Sequence, residues 1–246
     1  MDQLISVIML LITLTTSLTG NAEALARETK VYPDSPAWVT TLGKEKEATQ
    51  LLVVAAVGQT TAYVSMHEKD EKGKWKEIIS TPGYIGKKGL GKTREGDALT
   101  PKGTFHFNAA FGIADDPGCA IPYHKVTKYD YWSGDPREGY AYNQLVSIKD
   151  YPDLDVKNKN TEHLIDCDPE YQYCLNISHN EECIPGVGGA IFLHCTGKVK
   201  PFTGGCVAIP EDCMKEVMQN VKPDCVVVID YLKTLSPQTW KKLGLE

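Results

Sequence analysis

No stretch of this 246-residue chain carries more than two consecutive basic residues, and its 26 lysines and arginines are outnumbered by 32 acidic residues, for a formal charge of -6. A polyanion needs a concentrated positive surface, so nucleic acid is excluded as a partner class. No apolar run reaches the roughly 20 residues of a membrane helix. The run at residues 4–14 has the length of a signal-peptide core instead, followed by Ala22-Glu23-Ala24, small residues at the alternate positions that signal peptidase prefers. Two features usual near such a run are missing. Met1-Asp2-Gln3 has no basic residue, and no cysteine stands at the cleavage point to take a lipid. Residues 1–26 are expected to be an export signal, an uncleaved anchor or a misplaced start being the other readings. The mature chain is then secreted, periplasmic or wall-associated, with no stable membrane span. Nothing specifies an oligomeric state.

What the chain does have is a histidine and a cysteine at the ends of two neighbouring apolar stretches. Residues 190–193 read as a buried strand that delivers His194, and Thr203-Gly204-Gly205-Cys206-Val207 reads as a glycine-rich turn entering a second strand. A thiolate nucleophile needs this pairing. The imidazole takes the thiol proton, the sulfur attacks a carbonyl carbon, and the histidine returns the proton to the leaving amine. Glycines at 204 and 205 allow positive φ and close approach of substrate, and the amides of Gly205 and Cys206 can point at an oxyanion. One cysteine and one histidine twelve residues apart are common by chance, so the glycine turn carries much of this inference.

These residues resemble the histidine and [Ser/Thr]-x-Gly-Cys-[Ile/Val] signature of the L,D-transpeptidase catalytic domain, the YkuD-like fold of peptidoglycan enzymes. A second stretch, Gly96-Asp97-Ala98-Leu99-Thr100-Pro101-Lys102-Gly103-Thr104-Phe105, is similar to the upstream Gly-Asp-x-x-Thr-Pro-x-Gly-x-Phe segment of that family. The likeness covers roughly residues 48–231. It implies a mainly β fold, a mixed β-sheet sandwich with a few short helices, and peptidoglycan stem peptides as substrate. Cys206 is then the nucleophile, His194 the base, and Gly205 an oxyanion donor. Thr203, Gly204, Thr100, Lys102 and Tyr123 are the expected substrate-binding residues. No cofactor or metal is implied. Two positions depart from the common pattern: Ala208 replaces an arginine or asparagine, and Gly204 replaces a histidine. The short gap from His194 to Cys206 resembles the murein hydrolase-like branch, so cross-linking by transpeptidation and cleavage by a carboxypeptidase or amidase both stay open. A non-catalytic wall-binding module, or a secreted protein with Cys206 in a disulfide, are the alternatives outside enzymology.

The remaining chain divides simply. Residues 27–47, with Pro33 and Pro36, are expected to form an extended lead-in or a first edge element, and residues 48–246 the catalytic domain. The apolar run 50–58 reads as a buried strand, and Lys72-Gly73-Lys74 as a hairpin turn. Residues 84–103 form a basic loop, with Lys87, Lys88, Lys92 and Arg94, that either receives substrate carboxylates or is a solvated hairpin. The aromatic stretch 111–143 either walls a cleft or anchors a long loop on the core. Residues 150–185 look like an acidic insertion with Cys167, Cys174 and Cys183. Their spacing with His179 fits no common zinc module, so disulfides are expected over metal. With Cys206 free, the other seven cysteines allow three bridges and one spare thiol, Cys195 and Cys225 being candidates for buried thiols. Pro210 starts an expected helix whose Met214, Val217, Met218 and Val221 form a core-facing stripe. A buried strand over 225–231 follows.

Overall fold

A computed structural model describes residues 32–198 and 200–245, and the expected export signal lies outside them. The first element is a helix, α1 (Ala37–Glu45), where the two prolines had suggested an extended lead-in. Pro36 occupies the position just before the helix, where its missing N–H costs nothing. The helix buries Val39 and Leu42 and lays Gly43 against the Trp75 indole, where a β-carbon would come within 2.2 Å of the ring.

The strands then follow as β1 (Gln50–Ala56), β2 (Thr61–Lys69), β3 (Trp75–Tyr84), β4 (Gly103–Gly112), β5 (Tyr123–Lys125), β6 (Asp130–Trp132), β7 (Leu145–Ser147), β8 (Glu162–His163), β9 (Cys174–Ile177), β10 (Phe192–Cys195), β11 (Val207–Ile209) and β12 (Val226–Tyr231). Helix α2 (Glu211–Asn220) lies between β11 and β12, and two short helices, α3 (Leu232–Leu235) and α4 (Pro237–Lys242), end the chain. The fold is mainly β with a few short helices, in agreement with expectation.

Nine strands form one mixed sheet in the order β12-β1-β2-β3-β11-β10-β9-β4-β5, and a further pairing of β12 with β4 closes it into a barrel. Closure explains the sequence of β1. All seven of its residues are buried, because strands lie on both sides and it is covered on both faces. Its Leu52, Val54 and Ala56 point into the barrel with Val227 and Ile229 of β12, while Leu51, Val53 and Ala55 pack under α1 and the terminal helices. The β2–β3 turn is held as expected. Gly73 takes φ +75°, and the Asp70 carboxylate accepts from the amides of Lys72 and Lys74 at 2.9 and 2.8 Å. Helix α2 buries Met214, Val217 and Met218 against the barrel.

The aromatic stretch supplies β6, the acidic stretch β8 and the segment between them β7, which together make a second sheet, β7-β6-β8. The segment read as an insertion also supplies β9, which pairs with both β10 and β4 and is therefore an interior barrel strand. The eight cysteines are all free thiols, so the expected three disulfides are not formed. Cys119, Cys167, Cys183 and Cys213 are partly buried and the other four are buried. Cys174, Cys195 and Cys225 are buried and take the place of small apolar residues, Cys174 in one core cluster and the other two in the barrel core. Among the described residues no group of three histidine, cysteine or acidic side chains is arranged to hold a metal ion, and no helix is long and apolar enough to cross a membrane.

His67 on β2 is 1 % exposed, with Ser35 Oγ at 2.9 Å from Nδ1 and Ser65 Oγ at 2.8 Å from Nε2. Burial pushes it down to about 4. The unfolded chain takes up this proton near pH 6.5 and the folded chain only near 4, so in that window the unfolded state holds more protons and stability falls as pH falls. Replacing His67 with Gln should remove about 2–3 kcal/mol of the stability lost between pH 7 and 4.5, read as a shallower pH dependence in denaturant titrations.

Candidate active site

Strands β10 and β11 are parallel, with His194 opposite Ala208. Cys206 stands two places before Ala208, so the two reactive side chains share one face, their α-carbons about 8 Å apart given a ~3.3 Å rise and ~4.8 Å strand spacing. Both line a cleft of about 370 Å³ between the barrel and the β7-β6-β8 sheet. The residue at 208 lies directly across from the imidazole, and alanine there keeps that space open.

The turn before Cys206 is built by hydroxyls. Thr203 Oγ1 accepts from the Gly205 amide at 3.1 Å and donates to the Cys206 carbonyl at 2.6 Å. From behind, Thr100 donates to the same carbonyl at 3.3 Å and accepts the Gly86 amide at 2.8 Å. Gly205 has φ +151°, and a β-carbon there would stand 2.9 Å from the Leu99 carbonyl oxygen. Gly204 faces open space, with nothing within 4 Å of a β-carbon.

The Cys206 sulfur accepts from the Phe192 amide at 3.3 Å and its thiol donates to the Ala190 carbonyl at 3.2 Å. Burial pushes this thiol up to about 12, and the charge of Glu162 adds to the rise, against the Phe192 amide and Lys92. The His194 ring nitrogen Nδ1 is 2.8 Å from the Cys195 carbonyl. A carbonyl only accepts, so the proton sits on Nδ1 and Nε2 is left as the base. Burial holds His194 below its usual value, with the Cys195 carbonyl and Glu170 working the other way. The resting pair is therefore a thiol and a neutral imidazole.

The cleft collects Cys206, His194, Gly205, Gly204 and Thr203. It does not collect three residues expected to bind substrate. Thr100 is fully buried and acts behind the turn. Lys102 pairs with Asp230 at 3.0 Å near the Tyr231 ring, and Tyr123 on β5 donates to the Ala114 carbonyl at 2.8 Å. Of the loop cations singled out, Lys92 lines the cleft, but its ammonium is buried against Asp97 at 3.1 Å. Asp97 is the loop's organiser. Against its own desolvation, the amides of Thr93, Leu99 and Arg94 and the Lys92 ammonium bring it down to about 2.

The aromatic stretch supplies a further wall. Trp132 does both things proposed for the aromatics: it lines the cleft and packs 4.7 Å from the Phe192 ring. Asn143, 7 % exposed, accepts from the Trp132 indole at 3.0 Å and from the Ala190 amide at 2.9 Å, which fixes the left-handed Ala190 (φ +52°) whose carbonyl accepts the hydrogen bond of the Cys206 thiol. Tyr171 sets its ring edge-on to His194 at 5.5 Å and donates to Glu162 at 2.5 Å. A polar residue in a proline- and glycine-rich loop says nothing of its long-range partners, so these roles have no local trace.

A buried thiol and an oriented imidazole near adjoining strand ends, in an open cleft, are the parts that thiol-dependent acyl transfer requires. The chain belongs to the YkuD family, the L,D-transpeptidase catalytic domain, whose family model matches residues 42–229. That family acts on peptidoglycan. No curated protein matches the chain.

The two glycines of the turn should respond differently to a methyl group. Gly205→Ala is expected to lower thermal stability by about 1–3 kcal/mol through strain and the clash with Leu99. Gly204→Ala is expected to stay within about 0.5 kcal/mol of the parent, as an open surface position does. Equal losses in the two melting curves would contradict this account of the turn.

Proposed function

We propose that the chain is an exported cysteine enzyme of the cell wall, an L,D-transpeptidase acting on peptidoglycan stem peptides. The observation that carries the reading is that Cys206, at the entry to β11, and His194, on the parallel strand β10, line one cleft of about 370 Å³. Export is supported by the apolar run at 4–14 and the Ala22-Glu23-Ala24 that follows it.

The substrate carbonyl next to a terminal D-amino acid approaches Cys206. The thiol leaves the Ala190 carbonyl, its proton passes to His194 Nε2, and the sulfur attacks the carbonyl carbon. Backbone amides of the turn receive the oxyanion. The Gly205 amide is held by Thr203 in the resting turn, so the Cys206 amide is the donor assigned first. His194 protonates the departing D-amino acid nitrogen, leaving a thioester. An amine of a second stem peptide then resolves the thioester into a cross-link. Water resolving it instead gives an L,D-carboxypeptidase, a reading favoured by the unfilled space at Gly204 and the small Ala208.

Because neither group of the resting pair is charged, the enzyme gains its nucleophile only as the proton moves. Cys206→Ala should reduce turnover of a tetrapeptide muropeptide by about 10⁴-fold or more, and His194→Gln by about 10²–10⁴-fold. Mass spectrometry of the reduced, signal-free protein with this substrate is the test. Loss of the terminal D-residue together with a transient acyl adduct on Cys206 supports the reading, and the product separates cross-link from hydrolysis. A folded protein with reduced Cys206 that gives neither adduct nor product would sink it.

A further inference from the structure

Proton transfer from Cys206 makes His194 an imidazolium at a residue only 7 % exposed. The negative charge begins on sulfur but moves to the oxyanion of the tetrahedral adduct, while the proton stays on His194 until the amine leaves. A buried cation needs a fixed counter-charge, and the partner of Nδ1 is a neutral carbonyl.

The cleft offers three carboxylates and three lysines. On the loop, Lys92 is tied to Asp97, and Glu95 takes the Tyr142 hydroxyl. On the second sheet, Glu162 takes the Tyr171 hydroxyl and its charge falls on Cys206. Lys159 and Lys200 are exposed at the rim. Glu170 is placed differently. Its carbonyl accepts the Cys195 amide at 2.9 Å, which sets it beside the residue following His194. Its side chain lies over Gly197, where a β-carbon would come within 1.9 Å of Oε1, so the missing side chain at 197 is the space the carboxylate occupies. Among the described residues that carboxylate has no ion-pair partner.

We propose that Glu170 is a positioning residue for His194, its carboxylate seated over Gly197 as the fixed negative charge that steadies the imidazolium formed when the Cys206 proton moves to Nε2. The inference rests on the acyl-transfer reading of this pair. The charge of Glu170 also opposes the effect of burial on His194, as its place requires.

The test is a titration of the His194 imidazole by NMR in 15N-labelled protein, assigned against His194→Gln. Glu170→Gln keeps the shape and removes the charge, and should move the His194 midpoint down by about half a unit or more, with Glu170→Asp falling between. Gly197→Ala displaces the carboxylate and should shift the midpoint the same way, which serves if Glu170→Gln does not fold. On the muropeptide, Glu170→Gln should lower kcat about five- to tenfold with KM unchanged and carry the acid limb of the pH profile downward. An unmoved or raised His194 midpoint in folded Glu170→Gln overturns the proposal. The titration needs no substrate, so its failure and a failure of the stem-peptide reading are seen separately.

Discussion

Two threonine hydroxyls meet at the Cys206 carbonyl, and the site depends on that meeting. Thr203 arrives from within the nucleophile turn and Thr100 from the upstream loop, and each is itself held by a backbone amide. One carbonyl thus locks a turn whose Gly205 occupies a backbone region closed to other residues. The loop bearing Thr100 is folded in turn by Asp97, which gathers three amides and the Lys92 ammonium. The two motifs, about a hundred residues apart, are one construction around one atom.

The same burial that orders the turn sets the chemistry. A water-poor site raises the Cys206 thiol and lowers His194, so the resting site holds no charge on either partner. This differs from thiol enzymes with a preformed ion pair, where nearby positive charge depresses the thiol. On the proposed mechanism the nucleophile forms together with the imidazolium, so a charge that stabilises that cation lowers the barrier. Lys92, whose charge acts on the sulfur, is already paired with Asp97. The second sheet has a part in this as well. It brings Trp132 and Glu162 over the strand ends, and Glu162 fixes the Tyr171 ring against His194.

Much of the barrel was legible from local pattern. The apolar run of β1, the turn at Gly73, the helix after Pro210 and the final strand follow from periodicity and turn chemistry. Other elements were hidden for physical reasons. Helix α1 is held by its contacts with Trp75 and β1 more than by its own propensity, so two prolines outweighed it in the sequence. Strand β9 is only four residues long and sits in a polar, cysteine-bearing stretch that reads as an insertion until its partners are known. The cysteines suggested disulfides by number, but all eight are free thiols, four of them buried and four partly buried.

By itself the sequence determined the family and singled out the candidate histidine, cysteine and glycine turn, because these lie in short contiguous motifs whose chemistry needs particular residue types. The tertiary structure decided what surrounds them. It set Thr100 behind the turn and not in the cleft, moved Lys102 and Tyr123 to other partners, and gave Asn143, Tyr171, Glu162 and Glu170 their places around the thiol and the imidazole. The reason is that a hydrogen bond or a counter-charge depends on distance in space. Closing the barrel brings together residues whose separation along the chain carries no record of that distance.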